Sequence, residues 1–140
     1  MKQSTDLNAL LEVSEVHYNR QREALSRLLQ QEAGLRLELA RLAEMGSANV
    51  QGDGAVTGIQ VIGADLLWNG WLARAKTQTN IHLAQVLAQK QYEQAKVRKA
   101  FGKVTALRQI IQDEAKSAKK AAAKAALDKV IAQSVNNTGF

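Results

Sequence analysis

From Leu7 to Leu42 the chain repeats every seven residues in two interleaved series. One runs Leu7, Ser14, Gln21, Leu28, Leu35, Leu42, and the other Leu11, Tyr18, Leu25, Glu32, Leu39. Eight of these eleven positions are apolar, while intervening residues such as Asn19, Arg20, Arg22, Glu23, Gln30 and Glu38 are polar. A helix turns once per 3.6 residues, so this spacing lays a narrow apolar stripe along one side of it. So narrow a stripe is a coiled-coil seam, not the broad face of a globular helix.

The rest of the chain allows such a helix to run far. There is no proline to stop or kink it, and the abundant Ala, Leu, Gln, Lys, Arg and Glu are good helix formers. Two each of Trp, Tyr and Phe are too few for a thick aromatic core. Ser4 or Thr5 is expected to cap a first helix over 4–46, which Gly46 closes. Periodicity disappears in the glycine-rich stretch 47–58, which is expected to be the loop. That stretch lacks the lysine, the following Ser/Thr and the preceding strand of a phosphate-binding loop.

Helical spacing resumes at Ile59, Ile62, Leu66, Ala73, Leu83 and Leu87, with Lys76 and Asn80 in core-like positions. It strengthens at Val97, Ala100, Val104, Leu107 and Ile111, then fades into Ala118, Ala121 and Ala125. The chain is therefore expected to be all-α, a two-helix antiparallel coiled-coil hairpin with a longer second helix, 59–135, and a frayed end, 136–140. At 1.5 Å per residue the helices measure about 60 Å and about 105 Å, so the second overshoots the first. An alanine seam buries little area, and the overshooting end is expected to fray or to await a partner.

The charge is uneven. Residues 1–46 carry six basic and seven acidic side chains (6 − 7 = −1), whereas 96–140 carry ten and three (10 − 3 = +7). A basic end suits an acidic protein, nucleic acid or anionic lipid. With no cysteine there is no disulfide or thiol chemistry. The opening residues do not form the apolar run of a signal peptide, and no window reaches the roughly 20 apolar residues of a membrane span. A soluble cytoplasmic protein is the expectation.

Catalytic constellations are missing. His17 and His82 have no convergent metal-ligand partners, and His17, beside Tyr18, is expected to pack at the seam. Asp113 and Glu114 are adjacent and diverge by about 100° on a helix. No nucleophile motif surrounds any serine. The chain is expected to be no enzyme and to need no cofactor or metal.

Two segments suit binding instead. Leu66-Leu67-Trp68-Asn69-Gly70-Trp71-Leu72 either closes the core at the loop end or presents an aromatic anchor to a partner. Lys116, Lys119, Lys120, Lys124 and Lys129 form a solvated face, a dock for an acidic protein, or a nonspecific contact for nucleic acid. No arginine or aromatic readout accompanies them.

The layout resembles the FliJ family, coiled-coil components of the bacterial flagellar and virulence type III export apparatus. The likeness rests on a first helix beginning within a few residues of the N-terminus, a middle loop and a longer second helix. Locally it rests on the stretch from Trp71 to His82 and on the basic, aromatic-containing run Val97-Arg98-Lys99-Ala100-Phe101-Gly102-Lys103. It implies a stalk-like protein that binds the export ATPase FliI, promotes its ring assembly, links it to the export gate protein FlhA, and escorts export chaperones. It implies peripheral membrane association through those partners, without direct insertion and without a small-molecule substrate. Matching positions imply a gate-binding face of Gln31, Leu35, Leu42, Trp71, Ala75, Gln78 and His82, with Gln78 where the family would place an apolar residue. They imply an ATPase-binding end that includes Arg20, Arg22, Lys116, Lys119, Lys120 and Lys124. The residues alone leave open a basic coiled coil that binds nucleic acid, and a homodimeric tether.

Overall fold

A computed structural model describes residues 2–51 and 59–139 of the 140. Among them the chain forms two helices and no strand: α1 (Lys2–Gln51) and α2 (Ile59–Thr138), packed against each other as a helical hairpin. Contacts divide it into two compact units, residues 21–97 and residues 1–20 with 98–140.

In the first unit the α1 seam follows the seven-residue repeat position by position. Gln21, Leu25, Leu28, Glu32, Leu35, Leu39 and Leu42 are all buried or half-buried, and the residues around them are exposed apart from Ala24 and Gly46. On α2 the facing row is Leu72, Lys76, Thr79, Leu83, Val86, Lys90, Glu93 and Val97, advancing by alternate fours and threes. Leu42, Leu72, Leu83 and Val86 are its buried apolar members. The pairing is antiparallel: Gly46 lies against Leu72, and Glu32 against Lys90.

This row corrects part of the expected α2 core. Leu66, Ala73 and Asn80 are exposed, while Lys76, Leu83 and Leu87 are buried or half-buried. The side chains of Ile59 and Ile62 lie outside the described residues. The register carries back from Val97 in unbroken steps, but Thr79, Lys90 and Glu93 make it look polar, so neighbouring apolar residues mimic a different row. Thr79 and Lys90 are readily accommodated, whereas one buried carboxylate oxygen of Glu93, Oε2, has no hydrogen-bond partner among the described residues. Thr79 is small and buried, Glu93 receives Lys96 at 3.5 Å, and Lys90 pairs with Glu32 at 3.0 Å.

The second unit continues both repeats. On α1, Leu7, Leu11, Ser14 and Tyr18 are half-buried. On α2 the row is Ala100, Val104, Leu107, Ile111 and Glu114. Val104, at 1% exposure, is the most deeply buried side chain among the described residues. Tyr18 packs on Phe101 with ring centroids 5.7 Å apart, and Arg108 reaches Glu15 at 2.9 Å along the rim. His17 is exposed instead of packed at the seam. From Ala115 to Gly139 every residue is exposed. Ala118 and Ala121 still line a shallow groove with Gln3, Ser4 and Asn8, and beyond them α2 continues without a facing partner in this unit.

The helix ends also differ from expectation. α1 begins at Lys2, so Ser4 and Thr5 lie within it, and it runs through Gly46 and residues 47–51. The rest of the expected loop, 52–58, lies outside the described residues. Gly46 does not terminate the helix. A Cβ there would sit 3.2 Å from Leu72 Cδ2, so the missing side chain permits a close helix approach. α2 is described from Ile59 and ends at Thr138, so 136–138 are helical, not frayed. Its last turn is held by the Gly139 N–H donating to the Val135 carbonyl at 3.0 Å, and by the Thr138 hydroxyl donating to the Ser134 carbonyl at 2.9 Å.

Candidate interaction surfaces

A single seam hides one side of each helix, so large apolar residues off the seam have nowhere to go but the surface. In the unit 21–97 they collect around the two tryptophans. Leu72 turns into the seam, whereas Leu66 and Leu67 are 75% and 76% exposed. Trp68 and Trp71 are also exposed and stack on each other, with centroids 5.2 Å apart and planes 26° off parallel. The segment therefore does both things its sequence allows: Leu72 closes the core, and its neighbours face outward.

Trp71 walls a groove between the helices, together with Leu37, Glu38, Arg41, Leu42 and Met45 of α1. Gly34 lies at its rim, where an added Cβ would meet nothing within 4 Å. The groove joins an aromatic wall, three aliphatic or thioether side chains, one carboxylate and one guanidinium. That composition suits a peptide or helix with apolar anchors and a polar edge. It offers no acid–base pair, and among the described residues no group of three or more His, Asp or Glu could hold a metal ion.

Of the residues that the family likeness assigned to a gate-binding face, the structure brings Leu42 and Trp71 together in this groove. Leu35 is a half-buried member of the seam, Ala75 is half-buried beside it, and Gln31 and His82 are exposed. Gln78 lines a separate depression on α2 with Ala73, Arg74, Thr77 and Ile81. Leu37, Met45 and Ile81 were not singled out from the sequence. The signal was present, because each is a large apolar residue standing off the seven-residue row.

Near the groove's end of the seam, Glu32 is buried among charges. Its carboxylate accepts from Lys90 Nζ at 3.0 Å and from Arg36 Nη2 at 3.1 Å. The Lys90 hydrogen bond, followed by that of Arg36, holds the Glu32 carboxyl below the ordinary carboxylate value, against the opposing effect of desolvation.

The basic residues assigned to an ATPase-binding end do not form one cluster. Arg20, Lys116, Lys119, Lys120 and Lys124 are exposed members of the same unit. Arg20 follows Tyr18, which packs on Phe101, and Lys116 lies 15 residues beyond Phe101, about 22 Å along α2. Arg22 is exposed and belongs to the other unit. The four lysines alone form a continuous basic stretch.

Comparison with family models, with curated proteins and with solved structures returns no match for this chain.

Proposed function

We propose that this hairpin is a non-enzymatic binding component of a bacterial flagellar or type III protein export apparatus. The observation that carries the reading is the exposed Trp68–Trp71 stack beside the groove of Leu37, Leu42 and Met45. A side chain that costs so much to leave in water is an economical anchor for a protein partner. In this reading the groove takes the export gate, FlhA, and the lysine stretch 116–124 takes the export ATPase, FliI, whose assembly the hairpin promotes. Export chaperones are further candidates for the same surfaces. No helix among the described residues is long and apolar enough to cross a membrane, and association with the inner membrane would follow from these partners.

The test is size-exclusion chromatography with light scattering on the chain alone, then with its organism's export ATPase and the cytoplasmic part of the gate protein. Co-elution with both, and faster ATP hydrolysis, is the expected result. A chain that ignores both proteins refutes the reading. The exposed lysines favour one competitor, a basic coiled coil on nucleic acid. It predicts DNA binding that weakens steeply with salt and does not respond to loss of Trp71.

A further inference from the structure

The end of α2 carries a second apolar stripe that cannot belong to the hairpin seam. Leu127, Val130, Ile131 and Val135 are 50–61% exposed. The seam direction at this end is marked by Ala118, which follows Ile111 by seven residues. At about 100° per residue, Leu127 lies nine residues and about 180° further round. The other three aliphatics fall within about 80° of Leu127, and so do Lys116, Lys119, Lys120 and Lys124. The only carboxylate between residues 116 and 139, that of Asp128, lies outside this arc. One helix face is thus basic over its first turns and aliphatic over the next, and it looks away from the α1 partner.

We propose that this face of α2, residues 116–135, adsorbs to an anionic lipid surface, with the lysines on headgroup phosphates and the aliphatics dipping below them. The observations favour lipid over the other occupants. Nucleic acid would use the lysines but gain nothing from Leu127 and Ile131. A second copy would bring two sets of four lysines together with no carboxylate in the arc to offset them. A specific protein pocket is normally entered by Trp, Tyr or Arg, and 116–135 contains none of these. A laterally continuous, deformable negative plane accepts lysines spread over a wide arc and a shallow aliphatic stripe together, as amphipathic basic helices do. This inference does not rest on the export reading, although the two would share lysines.

The test is flotation of the full chain with vesicles of phosphatidylcholine containing about one-third phosphatidylglycerol, at about 0.1 M salt. Binding to these and not to pure phosphatidylcholine is expected. The double variant Leu127→Gln/Ile131→Gln keeps every charge and touches no seam residue, so helicity by circular dichroism stays unchanged while vesicle affinity falls roughly tenfold. The chain has no cysteine, so single labels report depth cleanly. A polarity-sensitive dye on Val130→Cys shifts to the blue on binding, and the same dye on Asn136→Cys, on the opposite side of the helix, does not. Equal binding by the glutamine variant would overturn the proposal, because the lysines would then act alone. So would indifference to anionic vesicles, or capture by poly-glutamate in their place.

Discussion

Glu32 occupies a position where the seven-residue repeat calls for leucine, and the two cations beside it explain how it is tolerated. A carboxylate nearly removed from water is stable only when its charge is answered, here by Lys90 from α2 and Arg36 one turn along α1. Both hydrogen bonds favour the ionised form and lower its pKa. The stabilisation is therefore present above the ordinary carboxylate value of 4.5 and is lost as pH falls through the lower folded value. Thermal melts between neutral pH and about pH 3 should show the midpoint dropping below about pH 4.5. Glu32→Gln should lower the midpoint at pH 7 and shrink that acid-side drop. An unchanged acid limb in the variant would mean other carboxylates carry it. Gly46 makes the opposite point, that a residue can matter for what it lacks. Alanine there gains about 1 kcal/mol of helix propensity but places a Cβ 3.2 Å from the flexible end of Leu72. Gly46→Ala should therefore be neutral or mildly stabilising in denaturant unfolding, and Gly46→Leu clearly destabilising.

At the scale of the element, α1 was legible in the sequence to the individual residue, because its row is dominated by leucine and its polar exceptions are isolated. The upper part of α2 was not. There Lys76, Thr79, Lys90 and Glu93 interrupt the row, and Leu66, Ala73 and Asn80, exposed and seven residues apart, supply a false one. A seam read by hydrophobicity alone fails where ion pairs and small polar residues fill it, and the partner of Lys90 lies on the other helix, invisible locally. The helix ends failed for a related reason: Gly46 looks like a stop but serves a helix contact. The tail of α2 carries its own prediction. Every residue from Ala115 to Gly139 is exposed, so truncation after Ala121 removes almost no buried apolar area among the described residues. The melting temperature should stay within about 2 °C of the full chain. A large drop would mean that the tail packs somewhere, against its exposure in the structure. By contrast Val104→Ala, at the most buried position, should cost about 2 kcal/mol in chemical unfolding.

For the whole molecule the decisive fact is that a two-helix hairpin has one seam and a large remaining surface, so stability and binding fall on different side chains. Leu72 and Trp71 are neighbours in sequence and belong to different tasks. Leu72 is buried against α1, and Leu72→Ala should cost about 2–5 kcal/mol. Trp71 is exposed and stacks on Trp68, so Trp71→Ala should cost only about 1 kcal/mol. If the groove is a partner's dock, the ranking reverses in a binding experiment. Trp71→Ala should weaken capture of the gate protein by tenfold or more, on the order expected of a central aromatic anchor. If the lysine stretch takes the ATPase, its capture should then be unaffected. Replacing Lys116, Lys119, Lys120 and Lys124 with glutamine should do the converse, and remove most of the salt dependence of ATPase binding. Calorimetric titration of both variants against both proteins separates the two surfaces. If either variant lost both partners while keeping its fold, the groove and the basic stretch would be acting as one interface, and their assignment to separate partners would fall.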